Sequence, residues 1–137
     1  MYFLMSIKPK YATLILSGKK TAEIRKSKFG ASKDDVVVIY STKPEGRIVG
    51  SFVVNEVLWE RTEELWKHVG KQTGLTYNEF MEYARGHESM CAIIISDVVS
   101  ANGLTMEQMK LKVPQSYRRI TDEECFALLK RVHKTCE

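Results

Sequence analysis

Gly18-Lys19-Lys20-Thr21-Ala22-Glu23-Ile24-Arg25-Lys26 is the stretch on which the reading of this chain turns, because it joins the first helical pattern to a short strand and gathers ionisable groups at the join. From Lys8 to Lys28 stand seven basic residues, Lys8, Lys10, Lys19, Lys20, Arg25, Lys26 and Lys28, against one acid, Glu23. Solvated faces ordinarily intersperse the two signs, so a lone carboxylate among cations reads as a built site, the plainer alternative being a basic soluble surface.

Upstream, Tyr2 to Ile7 is a short apolar run read as a strand and ended by Lys8-Pro9, since the residue before proline avoids helical geometry. Tyr11, Leu14, Ile15 and Gly18 then fall at helical spacing, and Gly18 can take the left-handed conformation that stops the helix. A strand beginning near Thr21 would turn Ala22 and Ile24 into the core and point Thr21, Glu23 and Arg25 outward together. Glu23 and Arg25 would sit ~7 Å apart along it.

Downstream, Val36 to Tyr40 is a β-branched run, Lys43-Pro44-Glu45-Gly46 a turn, and Arg47 to Leu58 a returning strand with Gly50 as a bend, which together predict a hairpin. Thr62 with Glu63-Glu64 opens a helix to Gly70, and Thr76-x-x-Glu79 is a capping box for a second helix stopped by Gly86. Ser89 to Val99 is a buried strand, Thr105-x-x-Gln108 caps a further short helix, and Val113 to Ile120 is extended and basic. Thr121-x-x-Glu124 opens a last helix with Cys125, Leu128, Leu129 and Val132 on one face and Lys130, Arg131 and Lys134 at its end. Trp59 and Trp66 are read as core.

A chain of 137 residues suits one domain, here 1–137, and its 44% hydrophobic and 28% charged residues are those of an ordinary folded protein. No apolar run approaches the ~20 residues of a membrane span and no charged leader precedes Met1-Tyr2-Phe3-Leu4-Met5, so no membrane partner and a cytoplasmic location are expected. Cys91, Cys125 and Cys136 form no C-x-x-C pair and read as reduced thiols; His68, His87 and His133 show no metal spacing, so neither cofactor nor metal is expected. The net charge of +4 is compatible with an anionic partner.

Gly18-x-Lys20-x-x-Glu23-x-Arg25 resembles the G-x-K-x-x-E-x-R signature of the ASCH domain, a family related to PUA domains, at all four fixed positions. Ser6-Ile7-Lys8-Pro9, Tyr11-Ala12 and Pro114-Gln115-Ser116-Tyr117-Arg118 are similar to flanking stretches of small ASCH proteins, so the resemblance covers residues 1–120 and leaves 121–137 as an added helix. It implies an α+β fold, a small PUA-like β-barrel of about five to six mixed strands with flanking helices. It also implies a cationic cleft that binds RNA, a nucleotide or a nucleoside, with Lys20 and Arg25 on its positive side and Glu23 orienting one of them or meeting a base edge.

Arg25 has the fork to grip a phosphate with two hydrogen bonds and Lys20 acts as a point charge, whereas the bland account of Glu23 and Arg25 is a strand-surface pair worth under ~1 kcal/mol. Thr21 is a secondary binding candidate through its hydroxyl. Tyr117 and Arg118 offer a ring and a guanidinium to single-stranded nucleic acid, or a solvated loop packed on the barrel. Tyr40, Ser41 and Lys43 are possible rim residues. Three function classes stand open: an RNA- or nucleotide-binding domain; a hydrolase with Lys20 and Glu23 as catalytic groups; and a regulatory protein-interaction module. Among hydrolases, the resemblance to nucleoside amidohydrolases is weakened because Glu23 stands where those carry threonine, while metal-free RNA cleavage needs only a base, an acid and cations of the kind present here.

Overall fold

Tyr2–Ile7 (β1) is hydrophobic on both faces and lies inside a sheet: Phe3, Met5 and Ile7 face one core cluster and Leu4 another. The computed structural model of the chain describes residues 1–101 and 113–125. Pro9–Leu16 (α1) follows, then the strands Ala22–Arg25 (β2), Val36–Ser41 (β3) and Arg47–Arg61 (β4). The helices Thr62–Val69 (α2) and Tyr77–Tyr83 (α3) come next, and Ser89–Ser100 (β5) and Tyr117–Ile120 (β6) complete the sheet. The strand order is β2-β5-β4-β3-β1-β6, with β1 and β3 parallel and every other pair antiparallel.

The expected α+β architecture of six mixed strands with flanking helices is present, as a strongly bent sheet and not a fully paired barrel. Bending comes from irregularities in register between Ile39 and Tyr40 against β4, and between Ser51 and Val53 and between Val54 and Glu56 against β5, where an extra residue locally increases twist. The concave face encloses a core of Phe3, Met5, Val37, Ile39, Phe52 and Ile93, plugged by Ile15 of α1 and by Phe29. On the convex face, α2 and α3 cover Ala22, Ile24 and Ala92 with Leu65, Val69 and Phe80.

Gly50 sits where β4 passes closest to β5 and α1. A Cβ there would lie 2.3 Å from the Val99 carbonyl oxygen and 2.8 Å from Leu16 Cδ2. Gly50→Ala is therefore expected to lower stability by about 2 kcal/mol through overpacking, read as a lowered urea midpoint at unchanged slope.

Local signals were reliable and facial ones less so. The capping box at Thr76 makes both of its bonds, from Glu79 N to Thr76 Oγ1 (3.1 Å) and from Thr76 N to Glu79 Oε1 (2.9 Å), and the Thr121–Glu124 box makes the same pair. Thr62, expected as a cap, is the first residue of α2, and its hydroxyl donates instead to the His87 carbonyl at 2.7 Å. Trp59, expected in the core, is 42% exposed because it lies near the end of β4, beyond the residues that seal the concave face. Cys91 and Cys125 are buried free thiols, and burial pushes Cys125 up to about 11. The Thr105 box, the remaining face of the last helix, His133 and Cys136 lie outside the described residues. Among the described residues no helix is long and apolar enough to cross a membrane.

Candidate functional site

Gly18 ends α1 at φ +80, and three amides then fold back onto that helix, Gly18 to the Ile15 carbonyl and both Lys19 and Lys20 to the Leu14 carbonyl. That reversal sends the Lys20 side chain inward, where it is 2% exposed. Its Nζ donates to the Thr73 carbonyl and lies 3.6 Å from Glu23 Oε1 and 5.2 Å from the centre of the Tyr11 ring. Thr73 is itself pinned, donating to the Gly70 carbonyl at 2.7 Å and accepting from Leu75 N at 3.1 Å, so the acceptor for Lys20 is fixed.

β2 turns Ala22 and Ile24 into a core, as expected, but the face carrying Glu23 and Arg25 is covered instead of open to solvent. Ala22 and Ile24 pack under the helices, and Glu23 and Arg25 share the concave face with Ile93 and Cys91, which lie opposite them on β5. Both faces of this strand are covered, so alternation gave the apolar side but not the burial of the polar one. Glu23 is consequently 6% exposed, with its carboxylate between two cations, Lys20 at 3.6 Å and Arg25 at 3.0 Å.

Arg25 does a second job. Its guanidinium donates to the Ser6 carbonyl of β1 at 2.9 Å and to Ser116 Oγ, just before β6, at 3.1 Å. A side chain from one edge strand of the sheet thus clasps the opposite edge, closing by hydrogen bonds what the ladder leaves open. Arg25→Lys is expected to cost about 2 kcal/mol, since one ammonium cannot reproduce a planar fork that serves three acceptors, and amide exchange should accelerate in β1 and β6. Arg25 Nε is buried with no hydrogen-bond partner among the described residues.

These three side chains line a cleft of about 310 Å³ together with Lys8, Tyr11, Thr42, Glu79, Tyr83 and Gln115. Three basic side chains face two carboxylates in it, leaving it positive. Glu79 at the rim is engaged by Lys10 at 3.8 Å. Burial lowers the pKa of Lys20, with the Glu23 charge and hydrogen bond opposing that fall and Arg25 adding to it. Such a lysine releases its proton more readily than a surface lysine, so it suits proton transfer as well as charge stabilisation.

The other sequence candidates are placed elsewhere. Thr21 donates through its hydroxyl to Gln72 Oε1 at 3.3 Å, and its backbone is bonded to Gln72 and Ile95, so it ties β2 to the insert without lining the cleft. Tyr117 stacks edge-on with Phe29 (4.6 Å) and Phe3 (6.0 Å), and Arg118 pairs with Glu124 at 3.2 Å. Of the possible rim residues, Tyr40 packs on the outer cluster with Leu4, Ser41 is buried with no hydroxyl partner among the described residues, and their neighbour Thr42 lines the cleft. Tyr11 and Tyr83 were hidden by their fit to a helix's apolar spacing, and no local signal marks Gln115 as a neighbour of Lys20.

The ASCH domain model matches residues 5–117. A curated protein of Zymomonas mobilis, an ASCH domain-containing ribonuclease, is 26% identical over 125 residues, covering 88% of this chain and 84% of that protein. The crystal structure of ASCH from Zymomonas mobilis superposes with a TM-score of 0.89 at 25% identity, covering 94% of both chains. The N-terminal domain of Staphylothermus marinus McrB reaches a TM-score of 0.62 at 11% identity, covering 95% of this chain and 93% of that one, and so shares the fold.

Proposed function

The chain belongs to the ASCH domain family, and on that premise we propose that its cleft binds RNA, holding one nucleotide of a single strand against Lys20 and Arg25. The observation that carries this reading is the pair of cations buried around Glu23 on the floor of a positive cleft. Its volume of about 310 Å³ is at the lower end for small-molecule pockets, which admits one nucleotide unit and excludes a duplex. Tyr11 and Tyr83 supply rings against which a base can stack, and Lys8 at the mouth adds a third cation for phosphate.

Titration with single-stranded RNA over a range of salt tests this. Three phosphate contacts from Lys8, Lys20 and Arg25 give an expected slope of log K against log salt of about −2. Absence of saturable binding at low salt, or affinity indifferent to salt, would overturn the proposal.

Cleavage of the bound strand is the second reading, favoured by the relative in Zymomonas mobilis that bears the name ribonuclease. In it the RNA 2′-oxygen attacks the adjacent phosphorus as Glu23 takes the hydroxyl proton. The bond from phosphorus to the 5′-oxygen breaks, Lys20 gives that oxygen its proton, and Arg25 stabilises the charge on phosphorus. Glu23 then holds a proton that Lys20 lacks, and transfer within the pair, 3.6 Å apart, restores the starting state. Accumulation of cyclic phosphate ends on a labelled strand is the expected product.

A further inference from the structure

We propose a second, flanking subsite for single-stranded RNA, built outside the cleft by the segment that leaves β2 and by the exposed Trp59 ring, with Tyr83 at the cleft rim as the boundary between the two. It rests on the RNA reading and extends it. Lys26 Nζ lies 4.7 Å from the centre of the Tyr83 ring and Lys28 Nζ 5.5 Å from that of Trp59. The residues are 39% and 42% exposed, so each ring is open in part to solvent. Tyr83 also lines the cleft, which makes the row continuous with it.

Topology fixes where Trp59 stands. It is opposite Cys91 on β5, and Cys91 is opposite Arg25 on β2, so the three share one rung and one face. Two strand spacings put the Trp59 backbone about 10 Å from that of Arg25, within reach of the neighbours of a nucleotide held in the cleft. The segment carrying Lys26 and Lys28 is anchored at both ends, by Arg25 in its clasp and by Phe29 in the concave core. Glu60, the next residue along β4, turns to the opposite face and bonds His68, so its charge is directed away from the row.

Another exposed ring shows what an ordinary surface aromatic looks like here. Tyr77 is 44% exposed, but its hydroxyl donates to Glu63 at 3.0 Å and its ring packs against Trp66, with no lysine above it among the described residues. At Tyr83 and Trp59 the cation instead waits where an incoming base would stack, and arrival of the base moves the ammonium onto the phosphate beside it. Two ring–lysine pairs joined by one short segment suit a single strand, whose bases are free to stack and whose phosphates follow the cations.

The test uses the intact chain with a dinucleotide and an octanucleotide RNA, both 2′-O-methylated so that neither is cleaved. The unsubstituted chain should bind the octanucleotide more tightly, and Trp59→Ala should weaken that binding about tenfold while leaving the dinucleotide unchanged. Trp59→Phe should keep most of the octanucleotide affinity, and Lys28→Gln should flatten the salt slope for the octanucleotide by about 0.7. Equal affinity of the unsubstituted and Trp59→Ala chains for the octanucleotide overturns the subsite alone, as does equal loss at both lengths. Failure of the unsubstituted chain to bind either RNA overturns the RNA reading and the subsite with it.

Discussion

Glu23→Gln is expected to destabilise the fold by about 3 kcal/mol, because it takes the carboxylate from between a buried ammonium and a largely buried guanidinium. Lys20 is 2% exposed, and Arg25, with 14% of its side chain exposed, is held in place by Ser6 and Ser116. The glutamine keeps the shape and one acceptor for Arg25, so the loss isolates charge from packing. Its pH dependence has a definite sign. Burial already puts the folded pKa of Lys20 below 10.5, and Glu23 opposes that fall, so removing the carboxylate lowers it further. Between that folded value and 10.5 the unfolded chain binds more protons, so stability rises with pH across this window. The deficit of Glu23→Gln relative to the unsubstituted chain should therefore narrow from neutral pH toward pH 10 in urea titrations. A deficit that is constant or widens would mean that Lys20 is not the group left stranded. Adding Lys20→Met to Glu23→Gln should recover most of the lost stability, since the uncompensated ammonium is then gone.

How much of this was readable from the chain depends on how far apart the interacting residues lie. Gly18 as a helix stop, the turn at Lys43 to Gly46 and the Thr76 box are decided within a few residues, and each stands where the sequence placed it. Lys20, Glu23 and Arg25 converge because one tight reversal and one strand carry all three, a local matter again. The burial of the polar face of β2 was not legible, because alternation marks Ala22 and Ile24 as inward without showing that Glu23 and Arg25 are covered from the other side. The cleft's other wall needed tertiary information: Tyr83 comes from α3 and Gln115 from the approach to β6, and nothing near either in sequence points to Lys20. Tyr117 shows the converse, a ring with basic neighbours that turns into the core because Phe3 and Phe29 supply its edge-on partners.

Lys20→Met is expected to separate function from folding most cleanly. The methionine retains an unbranched apolar stem in a buried site, and the pair it breaks is one whose desolvation cost already offsets much of its attraction. What remains is balanced, because Glu23 keeps Arg25 at 3.0 Å, so the stability change should be small, about 1 kcal/mol for the hydrogen bond lost to the Thr73 carbonyl. Function should not be spared. As a binding group, Lys20 contributes one of three phosphate contacts, and its loss should take the salt slope from about −2 to about −1.3. As the proton donor for the 5′-oxygen, its loss should slow cleavage about 100-fold or more at saturating RNA. The pH profile distinguishes the two roles. A donor must hold its proton, so the cleavage rate of the unsubstituted chain should fall as pH rises through the lowered pKa of Lys20, and Lys20→Met should lack that alkaline limb. A flattened slope with an unaltered cleavage rate would restrict Lys20 to holding phosphate. If affinity, slope and rate all survive the substitution, the buried charges belong to the architecture of the sheet's seam, and the RNA site must be sought elsewhere on the surface.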